Sequence, residues 1–506
     1  MMATKPHRPW ARKPIDTVRA QADSTGMTRT LGPVQLILIG IGCIIGAGVY
    51  VMTGTAAANY AGPAVILSFA LAGLACGLIG LCYAELSSVL PVSGASYTYT
   101  YAVLGEAAAW GLGWMLMFEF GLAGSALAVG FAGYLGSLLG DFGVHIPAAF
   151  ATSTVQAAQR GGDTSFSFAP SVNLVAPAAL AVASLVLIRG IRQSAAVNTL
   201  LVVIKCGVLA GFVLVGAGHV DSTNWSPFIP ANEGGFHYGV PGILRAASIL
   251  FFAYLGFEAV ATAAAEARRP QRDVPVGILG ALLFSTLIYA VVALVLTGLV
   301  PFRSLGVPDP IALAVSAIGL PVVAVVIKVG ALTGLGSVLL VNTYGQSRIL
   351  FAIAADGLLP PALAAIHPIR ATPANGTVTV AVISAVAAAL LPISLLADMV
   401  SIGTALVFIS VAIAVIRLRT THPDLPRPFK VPIGGAWIGG QWIGVVPALA
   451  ILACLLMMGP VLIDIVAKAI AGDWIPLSIL LGYMLLGVGI YLGYGRHHSA
   501  LRLAAD

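Results

Sequence analysis

Lys205 lies in the middle of an apolar run, NTLLVVIKCGVLAG, about ten residues from either end. A charge that far from water costs at least about 2.5–3.5 kcal/mol, so it needs a reason. An ammonium held there can release and retake a proton, or it can stay fixed and tie neighbouring segments together. Three more polar side chains stand in similar surroundings: Glu119 in MLMFEFG, Glu258 in FFAYLGFE and Asn342 in LLVNTYGQSR. Glu258 can satisfy backbone groups freed by a helix interruption. The cysteines Cys43, Cys76, Cys82, Cys206 and Cys454 form no CxxC pair and read as small apolar packing residues. The histidines show no metal-ligand spacing, and no nucleophile–base constellation or G-x-x-x-x-G-K-[ST] sequence is present. Enzyme chemistry, a cofactor and a built-in ATPase are therefore not expected.

These residues are positioned by helices that cross a membrane. Of the 506 residues 59% are hydrophobic and 9% charged, against about 25% charged in soluble domains. Crossing a bilayer takes roughly 20 apolar residues. Such runs recur over 34–58, 63–87, 108–139, 174–190, 195–216, 239–264, 275–299, 321–354, 374–391, 395–417, 444–467 and 474–494, which we number spans 1 to 12. Short alternating strands of the kind that build a barrel are absent, and no gap is long enough for a soluble domain. The chain reads as an all-α polytopic membrane protein.

Two spans are interrupted. GIGCIIGAGVY, from Gly40 to Tyr50 in span 1, carries four glycines in eleven residues, although each costs about 1 kcal/mol relative to alanine inside a helix. FFAYLGFE interrupts span 6 five spans later. Interruptions at corresponding places in two halves point to a binding site near the membrane midplane. Unwinding frees N–H and C=O groups that lipid cannot satisfy. Helix N-terminal ends suit a carboxylate and C-terminal carbonyls an ammonium, so a zwitterion fits between them.

Charge gives sidedness. With the N-terminus inside, nineteen of the twenty-five Lys and Arg fall on the inner side, beginning with Lys5, Arg8, Arg12, Lys13, Arg19 and Arg29, and only Arg160, Arg303 and Lys468 fall outside. This bias places both termini in the cytoplasm. It also accounts for the net charge of +6 without nucleic acid as a partner. No signal-peptide pattern is seen, so span 1 is expected to be retained. Arg245 and Lys328 lie near outer span ends and read as side chains reaching out to the interface.

The stretches GIGCIIGAGVYVMTG, AGPAVILSFALAGLACGLIGLCYAELSSVLPVSGASYTYTY, FFAYLGFEAVATAAAEARRPQRDVPVGI and YGQSRILFAIAADGLLP resemble the amino acid–polyamine–organocation transporters, and within them the cationic amino acid transporter branch with its bacterial members. The resemblance implies a LeuT-type fold of two inverted five-helix repeats plus two further helices. It divides the chain into a tail at 1–33, repeats at 34–216 and 217–417, two appended spans at 418–494 and a tail at 495–506. It implies that the substrate carboxylate meets backbone N–H groups around Gly46, Ala47 and Gly48. The α-ammonium meets carbonyls around Ile44, Phe252, Ala253 and Leu255, with Phe252 as a lid. Many relatives have Ser or Thr in place of Ala47, and Glu-Glu where this chain has Ala265-Glu266. Glu258 and Asn342 would border the substrate side chain, and Glu119 would meet the pocket or an inner cavity. Lys205 would stand where other branches bind sodium, making transport proton-coupled and sodium-independent. The resulting expectation is secondary transport of amino acids across the plasma membrane, with cationic substrates favoured by Glu258 and Asn342. An exchanger, or a sensor that binds without transporting, is the alternative.

Overall fold

The computed structural model describes residues 10–15, 30–92, 94–160, 163–190, 195–367 and 372–500. Lys5, Arg8, Arg19, Arg29, Arg192, Arg370 and Arg502 of the charge tally lie outside these residues. Among the described residues, nine helices are long and apolar enough to cross a membrane. One of them, Gly48–Val89, joins the second half of span 1 to span 2. Three shorter apolar helices complete the set: Pro33–Ile44 is the first half of span 1, and Val175–Ile188 and Ala374–Leu390 are spans 4 and 9. The others are span 3 (Glu106–Asp141), span 5 (Ala195–Ala217), span 6 (Gly239–Phe251 and residues 252–266), span 7 (Pro270–Leu299), span 8 (Pro321–Ala355), span 10 (Ile393–Thr421), span 11 (Val445–Ile470) and span 12 (from Ile475).

The packing repeats with an offset of five. Spans 1, 2, 3 and 4 each meet their counterparts 6, 7, 8 and 9. Span 1 also packs on span 7 as span 6 packs on span 2, and span 3 on span 10 as span 8 on span 5. Spans 3 and 8 are the long members of their halves, with 36 and 35 residues, and spans 4 and 9 the short ones, with 14 and 17. Two five-helix repeats followed by two helices account for these equivalences. The repeat extends to connections not anticipated from the sequence: a helix at Ala95–Val103 between spans 2 and 3, and one at Pro310–Ala317 between spans 7 and 8. Hairpins Val155–Arg160/Asp163–Phe168 and Gly435–Ile438/Gln441–Gly444 occupy the connections before spans 4 and 11.

Both ends of the described chain reach one face of the bundle. Lys13 Nζ lies 2.6 Å from Asp356 Oδ1 just after span 8, and Ala500 N donates to the Asp356 carbonyl at 3.0 Å. Tyr97 OH donates to the other Asp356 oxygen at 3.0 Å. We call this the terminal face.

Arg245 does not reach outward, whereas Lys328 meets exposed Asp141 at the end of span 3 opposite the terminal face. Arg245 is 0% exposed. Its guanidinium donates twice to Asp398 of span 10, at 2.8 Å each, and once to Asp464 of span 11 at 3.0 Å, with the Tyr60 ring 5.0 Å away. Lys328 pairs with Asp141 at the end of span 3 at 2.6 Å. A buried cation needs both charge and hydrogen-bond partners, and these acids come from spans too distant in sequence for any local pattern to reveal.

Candidate functional site

The interruption of span 1 begins where Pro33–Ile44 ends. Ile45 turns to extended backbone (φ −75°, ψ 98°), and a wide-turn helix starts at Gly48. In span 6, Gly239–Phe251 tightens through Phe252–Tyr254, Leu255 is extended (φ −55°, ψ 137°), and Gly256 takes φ +112° before the chain turns helical again at Ala259. Only glycine adopts that φ without strain. The two interruptions touch. A Cβ on Gly256 would stand 2.7 Å from Cys43 Cβ, and a Cβ on Gly48 would overlap Ala253. The glycines therefore serve close approach of two opened backbones as well as the opening itself.

Beneath them lies a cavity of about 600 Å³, within the range of small-molecule sites. Ile44, Gly46, Ala47, Gly48, Phe252, Ala253, Leu255, Glu258 and Asn342 all line it. From the interruptions it runs past Thr262, Glu266 and Arg348, all exposed, so it opens toward the terminal face. Buried Phe252 stands at its closed end. Its flank from spans 3 and 8 is largely apolar, with Leu116, Phe120, Leu127, Val338 and Val341.

The polar groups have defined partners. Both carboxylate oxygens of Glu258, a residue 5% exposed, accept from Gly256 N at 3.0 and 3.2 Å. The acid thus caps the opened backbone of its own span. Asn342 Nδ2 donates to Phe120 O at 2.7 Å. The Phe252 carbonyl accepts from Leu255 N at 3.1 Å. Glu119 is buried away from the cavity lining. Thr404 Oγ1 donates to its Oε1 at 2.9 Å, and among the described residues Oε2 has no hydrogen-bond partner.

Lys205 is 1% exposed and sits behind span 1, on the side away from the cavity. Its Nζ donates to Gly42 O at 2.6 Å and Ile45 O at 3.2 Å, with Ser337 Oγ of span 8 at 3.5 Å. The carbonyls left without helical partners at the end of Pro33–Ile44 are thus met by a side chain from span 5. One ammonium joins spans 1, 5 and 8 at the interruption.

Three contributors escaped the sequence reading. Gly94 to Thr98, from the Ala95–Val103 helix and the turn before it, line the cavity. Cys43, read as packing, also lines it. Tyr289 of span 7 bonds to carbonyls of both interruptions. The YTYTY run hinted at the first, but nothing around Tyr289 marks it out.

Residues 31–485 match the family described as amino acid permease. The chain belongs to this family. It is 40% identical to the methylthioribose transporter of Bacillus subtilis over 97% of this chain and 98% of that one. It is 39% identical to the branched-chain amino acid permease BcaP of the same organism, over 96% and 97%. Cationic amino acid transporter 4, vacuolar, of Arabidopsis thaliana shares 35% identity over 80% of this chain and 67% of its own length. An amino acid permease is a multi-pass membrane carrier and not an enzyme, in keeping with helices interrupted at a shared cavity.

Proposed function

We propose that this permease carries α-amino acids across the plasma membrane by alternating access, with protons as the coupling ion, no sodium, and the terminal face in the cytoplasm. The observation that supports this most directly is the meeting of two interrupted helices over one cavity. Amide donors at the start of residues 48–61 suit a carboxylate, and carbonyls at the ends of Pro33–Ile44 and Gly239–Phe251 suit an ammonium. Phe252 would cover the ligand. Lys205, bonded to Gly42 and Ile45 carbonyls, would grip span 1 when protonated and loosen it when neutral.

Within this reading we place neutral amino acids ahead of cationic ones. The argument for cationic substrates rested on Glu258 and Asn342. The Glu258 carboxylate is engaged by Gly256 N and the Asn342 amide by Phe120 O, while the surrounding flank is apolar. A second reading has a specific observation behind it: the 40% identity to a methylthioribose transporter over nearly the whole chain. Opened backbone also serves hydroxyl groups.

The test is thermal stabilisation of the purified protein by each of the twenty amino acids and by methylthioribose, since binding stabilises by RT ln(1 + [L]/Kd). Uptake into liposomes under an inward proton gradient, without sodium, follows for the best ligands. Alanine or leucine should stabilise most and should accumulate only with the gradient. Methylthioribose alone stabilising would overturn the amino acid reading. Accumulation that requires sodium would overturn the coupling. Counterflow without net accumulation would mark an exchanger.

A further inference from the structure

The connection between spans 10 and 11 ends in the hairpin Gly435–Ile438/Gln441–Gly444. Between Lys430 and Asp464 the sequence has no charged residue, so the hairpin belongs to the apolar run that becomes span 11. Its base is fixed to the bundle. Trp442 is buried with the Arg419 guanidinium 4.1 Å from its ring, and Trp442 N donates to Thr420 Oγ1 at 3.0 Å. Arg419 Nε and Val431 N both donate to the Glu85 carboxylate of span 2 at 2.7 Å. Glu85 is about one turn from the end of span 2, from which the chain passes into the helix that holds Tyr97 on Asp356, so the hairpin lies on the terminal face. The tip is bare. Gly439 and Gly440 make the turn at φ +58° and +76°, and Trp437 and Ile438 before it are 58% and 59% exposed. Successive side chains of a strand point to opposite faces, so both faces of the tip are apolar.

Water does not suit this tip, because large apolar side chains are driven out of it. Hydrocarbon does not suit it either. Among the described residues the sheet has two strands, and its outer edges carry N–H and C=O groups that lipid tails cannot satisfy. The zone that meets both demands is the boundary between headgroups and acyl chains, where tryptophan concentrates. The hairpin stands beside that zone. Val445 begins span 11 directly after it, and Val445, Leu449, Leu452 and Leu456, all exposed, form one outward stripe of that span. The tip thus continues a lipid-facing surface. We propose that this hairpin is a membrane-interface anchor: Trp437 and Ile438 enter the headgroup–acyl boundary of the leaflet on the side of the terminal face. Exposed Lys430 at its base suits the lipid phosphates. Through Arg419 and Glu85 the anchor holds the ends of spans 10 and 2 at the membrane surface.

The experiment places a nitroxide label at Ile438→Cys in the full chain, with Cys43→Ser and Cys206→Ser removing the two part-exposed thiols. Leu452→Cys on the outward stripe of span 11 and Asp424→Cys in the connection, both at exposed positions, serve as references. Collisions of each label with oxygen, which concentrates in lipid, and with a water-soluble nickel chelate are measured in liposomes. At 438 the chelate should collide at least about threefold less often than at 424, and the label should lie shallower than at 452, close to the phosphates. Adding Trp437→Ser should raise chelate collisions at 438 at least about twofold, because the larger of the two apolar side chains is lost. If Ile438→Cys does not insert, Ile433→Cys, at a position 74% exposed, takes its place. Chelate access at 438 equal to that at 424 puts the hairpin in water and overturns the anchor. A depth equal to that at 452 puts it in hydrocarbon and also overturns it. So does spin–spin broadening with both kinds of collision lost, which marks a second copy of the chain as the occupant.

Discussion

Single side chains in this permease are placed against the cost of burying charge. Lys205 has no acid within bonding distance among the described residues; two backbone carbonyls and a serine hydroxyl hold it. Lys205→Met keeps the stem and removes the charge. Proton-driven accumulation should then be lost while binding stays within about tenfold of wild type, as read by uptake with and without a gradient and by thermal stabilisation. Undiminished accumulation in Lys205→Met would leave the lysine a structural tie. Arg245 is the opposite case, a cation among acids. Arg245→Leu strands Asp398, buried, and Asp464, half-buried, so unfolding stability should fall by about 3–5 kcal/mol, seen as a lower melting temperature in detergent. Asp464 keeps Lys468 at 2.8 Å, so Asp398 should carry most of the loss. At the flank of the cavity, Asn342→Met should weaken leucine and arginine at least about fivefold more than alanine, because the longer apolar chain shortens the space beside Phe120. An equal loss for all three would remove Asn342 from side-chain selection.

Helices in lipid keep their hydrogen bonds within the segment, so an interruption survives only where other protein groups complete it. At span 1 these are Lys205 and Tyr289; at span 6 they are Glu258 and, again, Tyr289. The glycines then fix how closely the two interruptions approach. Gly256→Ala forces a non-glycine residue to φ +112° and pushes its Cβ toward Cys43. A left-handed conformation alone costs roughly 1–2 kcal/mol. The variant should therefore melt measurably lower and bind substrate at least about tenfold more weakly. Gly48→Leu drives a branched side chain into Ala253 and should abolish uptake while the protein still inserts. Wild-type affinity in Gly48→Leu would dissociate the interruption from binding. A glycine cluster in span 1, and a lone glycine beside an embedded acid in span 6, made both openings legible in the sequence. Their mutual contact was not, because Gly48 and Ala253 are about two hundred residues apart.

At the scale of the whole molecule, one face is open and the other shut. The lining runs from Phe252 to exposed Glu266 and Arg348, and the terminal face brings Lys13 and Ala500 together at Asp356. Cys43 gives a direct readout of this state. It lines the cavity, whereas Cys76, Cys82 and Cys454 are buried. In a Cys206→Ser background, a membrane-impermeant maleimide should label Cys43 in inside-out vesicles and much less in right-side-out ones. Saturating substrate should slow labelling at least about threefold. Labelling from the other side would reverse the assignment of the terminal face to the cytoplasm, and labelling indifferent to substrate would separate the cavity from binding.

The sequence by itself determined the number and order of spans, because lipid demands long apolar runs and the apolar runs are contiguous. It determined which two spans open, since glycine and an embedded acid leave a local mark, but not the contribution of Gly94 to Thr98 or Cys43 to the cavity. It could not decide where buried charges find partners. The acids that hold Arg245 lie on spans 10 and 11, and the packing of spans 6, 10 and 11 alone brings them together. Nor could it single out Tyr289, a tyrosine in an ordinary apolar helix whose hydroxyl reaches Ile44, 245 residues away. Burial of a polar group leaves a trace in sequence only when the group is unusual for its surroundings. Its partner is set by three-dimensional packing, and in this permease packing turned two interrupted helices into one site.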